Sequence, residues 1–95
     1  MTEKEWLEQS DEKKSVFIRE ILDIPDLGID LLSWVGFGMI VEKFGSLKFT
    51  LTQPEFGKKY LIRLHSVCVV RLEAYADTPW EAAALSYGKM KGLIE

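Results

Sequence analysis

The stretch that decides the fold is "YLIRLHSVCVVRLEAYADTPWEAAAL", which runs from Tyr60 to Leu85. Its first part, residues 60–75, separates into two sets of alternating side chains. The even-numbered set is nearly all apolar, whereas the odd-numbered set carries the charged residues. A period of two is typical of a β-strand with one buried face. We therefore predict that the even-numbered side chains face the core.

The length of this run leaves two interpretations open. As one strand it would span ~50 Å at ~3.3 Å per residue, whereas strands usually have ~5–6 residues. The run is either two strands joined tightly near His65 and Ser66, or one long strand with a bend or bulge. No glycine marks a turn there. We favour the bent strand and keep the hairpin as the alternative.

The residues after this run predict a helix. "TPWE", from Thr78 to Glu81, is a capping box in which Thr78 is the N-cap and Pro79 the first helical residue. Gly92 is suited to end the helix. The predicted apolar face comprises Trp80, Ala83, Ala84, Tyr87, Met90 and Ile94.

The N-terminal half begins with helical signals. Ser10 is a suitable N-cap, and the helix that follows it should end before Pro25. Residues 1–9 are expected either to fray or to form a short helix that docks through Trp6.

The middle of the chain predicts a short helix followed by strands. Asp30 is the expected cap of the short helix, and Gly36 its end, because each glycine in a helix costs ~1 kcal/mol relative to alanine. "FGMIVEKF", residues 37–44, is interpreted as a strand. A hairpin turn at Gly45 then leads to "LKFTLTQ", residues 47–53, which alternates cleanly between apolar and polar side chains.

This order of elements indicates one α+β domain over residues 1–95, with an antiparallel sheet of three or four strands flanked by helices. The odd-numbered face of the long run still carries Leu61, Val67, Val69 and Tyr75. That face should be covered by helices or by a second subunit.

Composition limits the classes of function. The chain has 95 residues, a net charge of −3 and a pI of about 5.2, which does not favour nucleic-acid binding. The single cysteine cannot form an internal disulfide. The charged N-terminus is unlike a signal peptide, and no apolar run approaches the ~20 residues of a membrane helix. We expect a soluble cytoplasmic protein that contacts neither nucleic acid nor membrane.

"AYADTPWEAAALSYGKMKG", residues 74–92, resembles the C-terminal part of the phage ABA sandwich domain family. The resemblance covers Val67 to Gly92 and includes the strand, the Thr-Pro turn and the alanine-rich helix. It implies a helix–sheet–helix layering and a phage origin. That family has no settled activity, so the resemblance assigns no functional residue.

The sequence offers little for catalysis. His65 and Cys68 are the only histidine and the only cysteine. On an unbroken strand they point to opposite faces and cannot form a catalytic pair, whereas a bulge or turn at Ser66 would bring them together. A metal site needs three or four ligands, which this pair does not supply. The glycines at 36 and 38 lack the third glycine of a dinucleotide-binding fingerprint. We expect no enzyme activity and no cofactor. A minor enzyme that uses His65 as a base is the disfavoured alternative.

The odd-numbered face of the long run is the candidate ligand site. Arg63, His65 and Arg71 lie along it, with Tyr75 at its end. Such a row is suited to an anionic ligand or an acidic partner, because arginine presents forked donors. The competing interpretation is a solvated face on which Arg71 and Glu73 are paired with their neighbours.

These observations favour a small non-enzymatic binding protein. We expect a phage-encoded accessory factor or an inhibitor that acts on a host protein, with a protein partner or self-association. An exposed Trp6 or Trp34 would indicate the interface, because aromatic residues anchor interfaces. The alternative is an oligomer that binds and sequesters a small anionic ligand.

Overall fold

The computed structural model describes residues 1–45, 48–53, 59–65 and 71–95, and for Arg71 it describes the backbone alone. These residues form α1 (Glu3–Leu7), α2 (Asp11–Leu22), α3 (Trp34–Lys43), β1 (Lys48–Thr52), β2 (Tyr60–His65), β3 (Arg71–Ala76) and α4 (Pro79–Met90). The three strands form one antiparallel sheet in the order β1-β2-β3. The predicted α+β class is confirmed.

Helix α4 lies at the centre of the fold. It begins as predicted, because the Thr78 hydroxyl accepts the Glu81 backbone N–H at 3.2 Å and Pro79 is the first helical residue. Residues 82–88 are all buried, so α4 is covered on every side for nearly two turns. The sheet packs against one side and α3 against another.

Gly88 of α4 packs closely against residues outside the helix. Ile94 and Phe17 lie so close to it that a Cβ at this position would be 2.6 Å from Ile94 Cδ1.

The N-terminal helices follow the predicted caps. Ser10 caps α2 by accepting the Lys13 backbone N–H at 3.3 Å. Helix α2 ends at Leu22, and Asp23 after it adopts a left-handed conformation with φ 54°. Helix α1 docks through Trp6, which is fully buried. The Trp6 ring meets Phe17 edge to face, with ring centroids 5.7 Å apart.

The prediction for residues 30–44 was wrong. The chain forms neither a helix that ends at Gly36 nor a strand over 37–44, but the single helix α3, capped by Ser33. Packing outweighs the low helix propensity of glycine, because Gly36 lies directly against the Leu31 backbone. Gly45, expected in a hairpin turn, instead follows the end of α3 with φ 62°.

The preferred interpretation of residues 60–75 was also wrong. The run is not one bent strand but two antiparallel strands, β2 and β3, with Tyr60 opposite Ala76 and His65 opposite Arg71. The joining residues 66–70 lie outside the described part of the chain. The pairing keeps even-numbered residues opposite even-numbered ones, so both strands present the predicted apolar set to the same face.

That apolar face packs on α4 and forms the core. The buried side chains on it include Ile62, Leu64, Ala74 and Ala76. In β1, Phe49 and Leu51 are half-buried against this core, whereas the alternate residues are exposed, as predicted. Leu61 is buried as well, but it lies outside the core cluster, on the opposite face.

Candidate functional site

We call the side of the sheet opposite α4 the outer sheet face. The strand register arranges it in three rows that cross β1, β2 and β3. These rows are Lys48–His65–Arg71, Thr50–Arg63–Glu73 and Thr52–Leu61–Tyr75. The face therefore changes from basic at one end, through a mixed row, to a row with two large apolar or aromatic residues.

The register places the four predicted ligand residues in these rows. His65 and Arg71 are direct cross-strand neighbours, whereas Tyr75 is two rows away. Arg63 Nε lies 3.0 Å from Glu73 Oε1, and both side chains are exposed to solvent. Arg63 therefore has a partner within the sheet, whereas the row of His65 contains two basic residues and no acidic residue in the register.

Sequence reasoning missed Lys48 as a member of this row. It lies directly opposite His65 on β1 and is exposed. Directly opposed residues have Cβ atoms about 4.5–5.5 Å apart, so Lys48 and Arg71 flank His65 without an acidic residue between them. The sequence could not show this, because the position of Lys48 opposite His65 depends on the register of β1 against β2.

Cys68 lies outside the described residues. Its predicted burial, and its predicted separation from His65, stay predictions.

A second candidate site lies in the segment that leads into α3 and in the first turn of that helix. Trp34 is 60% exposed, whereas Trp6 is fully buried. The exposed large apolar side chains before and at this point are Leu27, Ile29, Trp34 and Val35, and we call them the α3 apolar surface. Within the described residues, seven large apolar side chains are exposed, so most of them lie in this one short segment.

Aromatic contacts hold Trp34 in place although it is exposed. Its ring meets Phe37 edge to face at 5.3 Å and Trp80 at 5.7 Å. The contacts continue into the core, because Phe37 meets Phe49 at 6.3 Å. An exposed tryptophan supported in this way is a rigid apolar projection, which loses little conformational entropy on binding.

Side-chain hydrogen bonds shape the loop before α3. Asp26 Oδ1 accepts the Gly28 backbone N–H at 3.0 Å, and Asp30 Oδ1 accepts that of Leu32 at 3.0 Å. Leu31 is buried and anchors the loop. Leu27 and Ile29 remain exposed beside these turns.

An open depression of about 430 Å³ lies along α2. Its lining combines Val16 and Phe17 with the charged residues Glu12, Lys13 and Glu20. It holds neither the histidine nor the cysteine. Across the described ranges, no three His, Cys, Asp or Glu side chains come together as a metal site. None of the helices described is long and apolar enough to cross a membrane.

Comparisons of the chain with family models, with curated proteins and with solved structures found no match. The resemblance to the phage ABA sandwich domain family therefore stays a prediction.

Proposed function

We propose that this protein is a non-enzymatic binding domain that docks on another protein through the α3 apolar surface. The observation that carries the proposal is the 60% exposure of Trp34. A tryptophan costs free energy when it stays in water, and interfaces are enriched in tryptophan at their centres. The role of a phage-encoded inhibitor or accessory factor is one form of this function.

The geometry around Trp34 supports an interface better than a solvated helix end. Val35, beside it in the first turn of α3, is 55% exposed. Both residues are exposed on a helix that is fixed to the core by Ile40 and, just after its end, by Phe44. A rigid scaffold that presents a tryptophan and a β-branched neighbour is suited to fill a pocket on a partner.

Copurification with a matched control tests this function. The tagged full-length protein, Trp34→Ser and Leu93→Ser are each recovered from cells that express the natural protein. Leu93 is 50% exposed and lies near the C-terminus, away from α3 in sequence. We expect a partner that the wild type and Leu93→Ser retain and that Trp34→Ser loses. If equal amounts of the partner copurify with all three proteins, the α3 apolar surface is excluded as the docking site.

The basic row on the outer sheet face supports a second candidate, the binding of a small anionic ligand. Lys48 and Arg71 flank His65 in the register, so two basic residues and the imidazole lie in one row. An anion bound there would accept charge-assisted hydrogen bonds from the two basic side chains. Titration with inorganic phosphate tests it by the amide shifts of β1 and β2. We expect His65→Ala to reduce these shifts. Unchanged shifts in that variant would exclude this site.

A further inference from the structure

We propose that the α3 apolar surface takes a cationic amphipathic segment of a different protein. This inference rests on the proposed function and adds the chemistry of the partner. Its basis is the distribution of charge around the exposed apolar residues, which differs sharply from that of the whole chain.

Residues 20–42 contain five carboxylates and no lysine, arginine or histidine. This segment therefore carries a charge of −5, and the rest of the chain carries +2, against −3 overall. Every one of the five is exposed. They are Glu20, Asp23, Asp26, Asp30 and Glu42. The α3 apolar surface lies wholly inside this acidic segment.

Two of the five carboxylates accept hydrogen bonds from the backbone. Asp26 and Asp30 each accept a backbone N–H within their own turn, and Asp23 occupies the left-handed position after α2. Arg19, which lies just before this segment, forms an ion pair with Asp26 at 3.3 Å. The remaining four carboxylates of the segment are exposed. An apolar surface beside fixed negative charge is complementary to a helix with leucines on one face and lysines at its border.

A second copy of the chain fits this surface poorly. In a two-fold symmetric contact the same patch faces itself, so the acidic segments of both copies would be brought together. Like charges juxtaposed at an interface cost several kcal/mol. A head-to-tail contact with the basic outer sheet face avoids this repulsion, but it continues into open assemblies unless a ring closes.

Two synthetic peptides test the inference directly. One is an amphipathic helix of leucine and lysine, and the other has glutamate at every lysine position. Binding to the full-length protein is followed by backbone amide shifts and by calorimetry at 50 and 500 mM NaCl. We expect the lysine peptide to shift the amides of residues 27–38 and to bind at least about tenfold more weakly at the higher salt. The glutamate peptide should leave those amides unchanged.

A triple variant tests the role of the negative charges without changing the conformation of the loop. Asp23→Asn, Asp26→Asn and Asp30→Asn together remove three negative charges, while asparagine keeps the side-chain oxygen acceptor and tolerates the left-handed conformation. The control carries Glu8→Gln, Glu12→Gln and Glu95→Gln, which removes equal charge at exposed positions elsewhere. We expect the first variant to lose at least about tenfold in affinity for the lysine peptide and the control to change less than about twofold.

Other results would overturn the inference in distinguishable ways. If the glutamate peptide shifts residues 27–38 as strongly as the lysine peptide, the docking surface stands and the cationic partner is excluded. If neither peptide shifts them, the cationic partner is also excluded, and the proposed function is decided separately by Trp34→Ser in the copurification. A mass that rises with concentration, and that Trp34→Ser restores to the monomer, would identify a second copy as the occupant.

Discussion

The ammonium of Lys14 lies 2.9 Å from Oε2 of Glu81, and this ion pair ties α2 to the first turn of α4. Both side chains are largely buried, with 8% and 15% exposed. The other carboxylate oxygen of Glu81 accepts the Thr78 hydroxyl at 2.8 Å, so one carboxylate serves both the ion pair and the helix cap. The Lys14 ammonium also lies 5.5 Å from the centre of the Trp6 ring. Three helices therefore meet at this pair.

Substitution of Lys14 should destabilise the protein. In Lys14→Met the buried carboxylate of Glu81 loses its counter-charge, and we expect the free energy of unfolding to fall by about 3 kcal/mol. Urea denaturation measures the change. Lys13→Met is the matched control, because Lys13 is the exposed neighbour on the same helix, and it should change stability by less than about 0.5 kcal/mol. Equal effects of the two substitutions would contradict the role given to the ion pair.

Two glycines of α3 should respond to alanine in opposite directions. A Cβ at Gly36 would lie 1.8 Å from the Leu31 carbonyl oxygen, so we expect Gly36→Ala to cost more than about 3 kcal/mol or to prevent folding. A Cβ at Gly38 meets nothing within 4 Å. Gly38→Ala should therefore raise stability by about 0.5–1 kcal/mol through helix propensity. Thermal denaturation followed by circular dichroism compares the two, and a loss of stability in Gly38→Ala would argue against the helix.

Trp6 and Trp34 should differ in their contribution to stability. Trp6 is fully buried, and Trp6→Ala is expected to cost about 3–5 kcal/mol through the cavity that it leaves. Trp34→Ala removes an exposed ring with two aromatic contacts and should cost less than about 1.5 kcal/mol. Chemical denaturation of both variants measures the difference. A large loss in Trp34→Ala would make Trp34 structural and would weaken its assignment to an interface.

The Arg63–Glu73 ion pair should contribute little to the stability of the protein. Both side chains are exposed, 47% and 38%, so solvent screens their attraction. A double-mutant cycle with Arg63→Ala and Glu73→Ala should give a coupling of about 0.2–1 kcal/mol that shrinks in 1 M NaCl. The cycle of Arg63→Ala with Thr50→Ala, its uncharged neighbour on β1, should give a coupling near zero. A coupling that is unaffected by salt would show that contacts other than charge join Arg63 to Glu73.

The parts of the fold that were predicted correctly depend on neighbours in the chain. Ser10 and Thr78 cap helices by accepting a backbone N–H three residues ahead, and such chemistry is complete within one turn. The alternation predicted for β1, and for the described residues 60–65 and 72–75, was correct for a similar reason. A period of two marks the buried face of a strand whether the run is one strand or two.

The predictions were wrong where contacts between residues far apart in the sequence determine the secondary structure. Residues 37–44 have a local alternation that indicates a strand, yet Gly36, Ile40 and Phe44 share the four-residue spacing of a buried helix face. Propensity disfavoured that helix. The close packing of Gly36 on Leu31 stabilises the helix, and no local sequence pattern indicates this packing.

The candidate ligand site was also predicted only in part. The sequence predicted that Arg63, His65, Arg71 and Tyr75 share one face. Parity establishes this within each strand, and the register of β2 against β3 joins the two pairs on one face. The sequence could not indicate that Arg63 is paired with Glu73, or that Lys48 joins the row of His65, since both depend on strand register.

By itself, then, the sequence determined where α2 and α4 begin, which strand residues face the core, and that residues 20–42 are acidic, because these properties reside in neighbouring residues. Only the tertiary structure decided that α3 is a helix, that β2 and β3 form a hairpin, and that Trp34 is exposed while Trp6 is buried. The physical reason is that burial and register are fixed by the free energy of contacts between residues far apart in the chain.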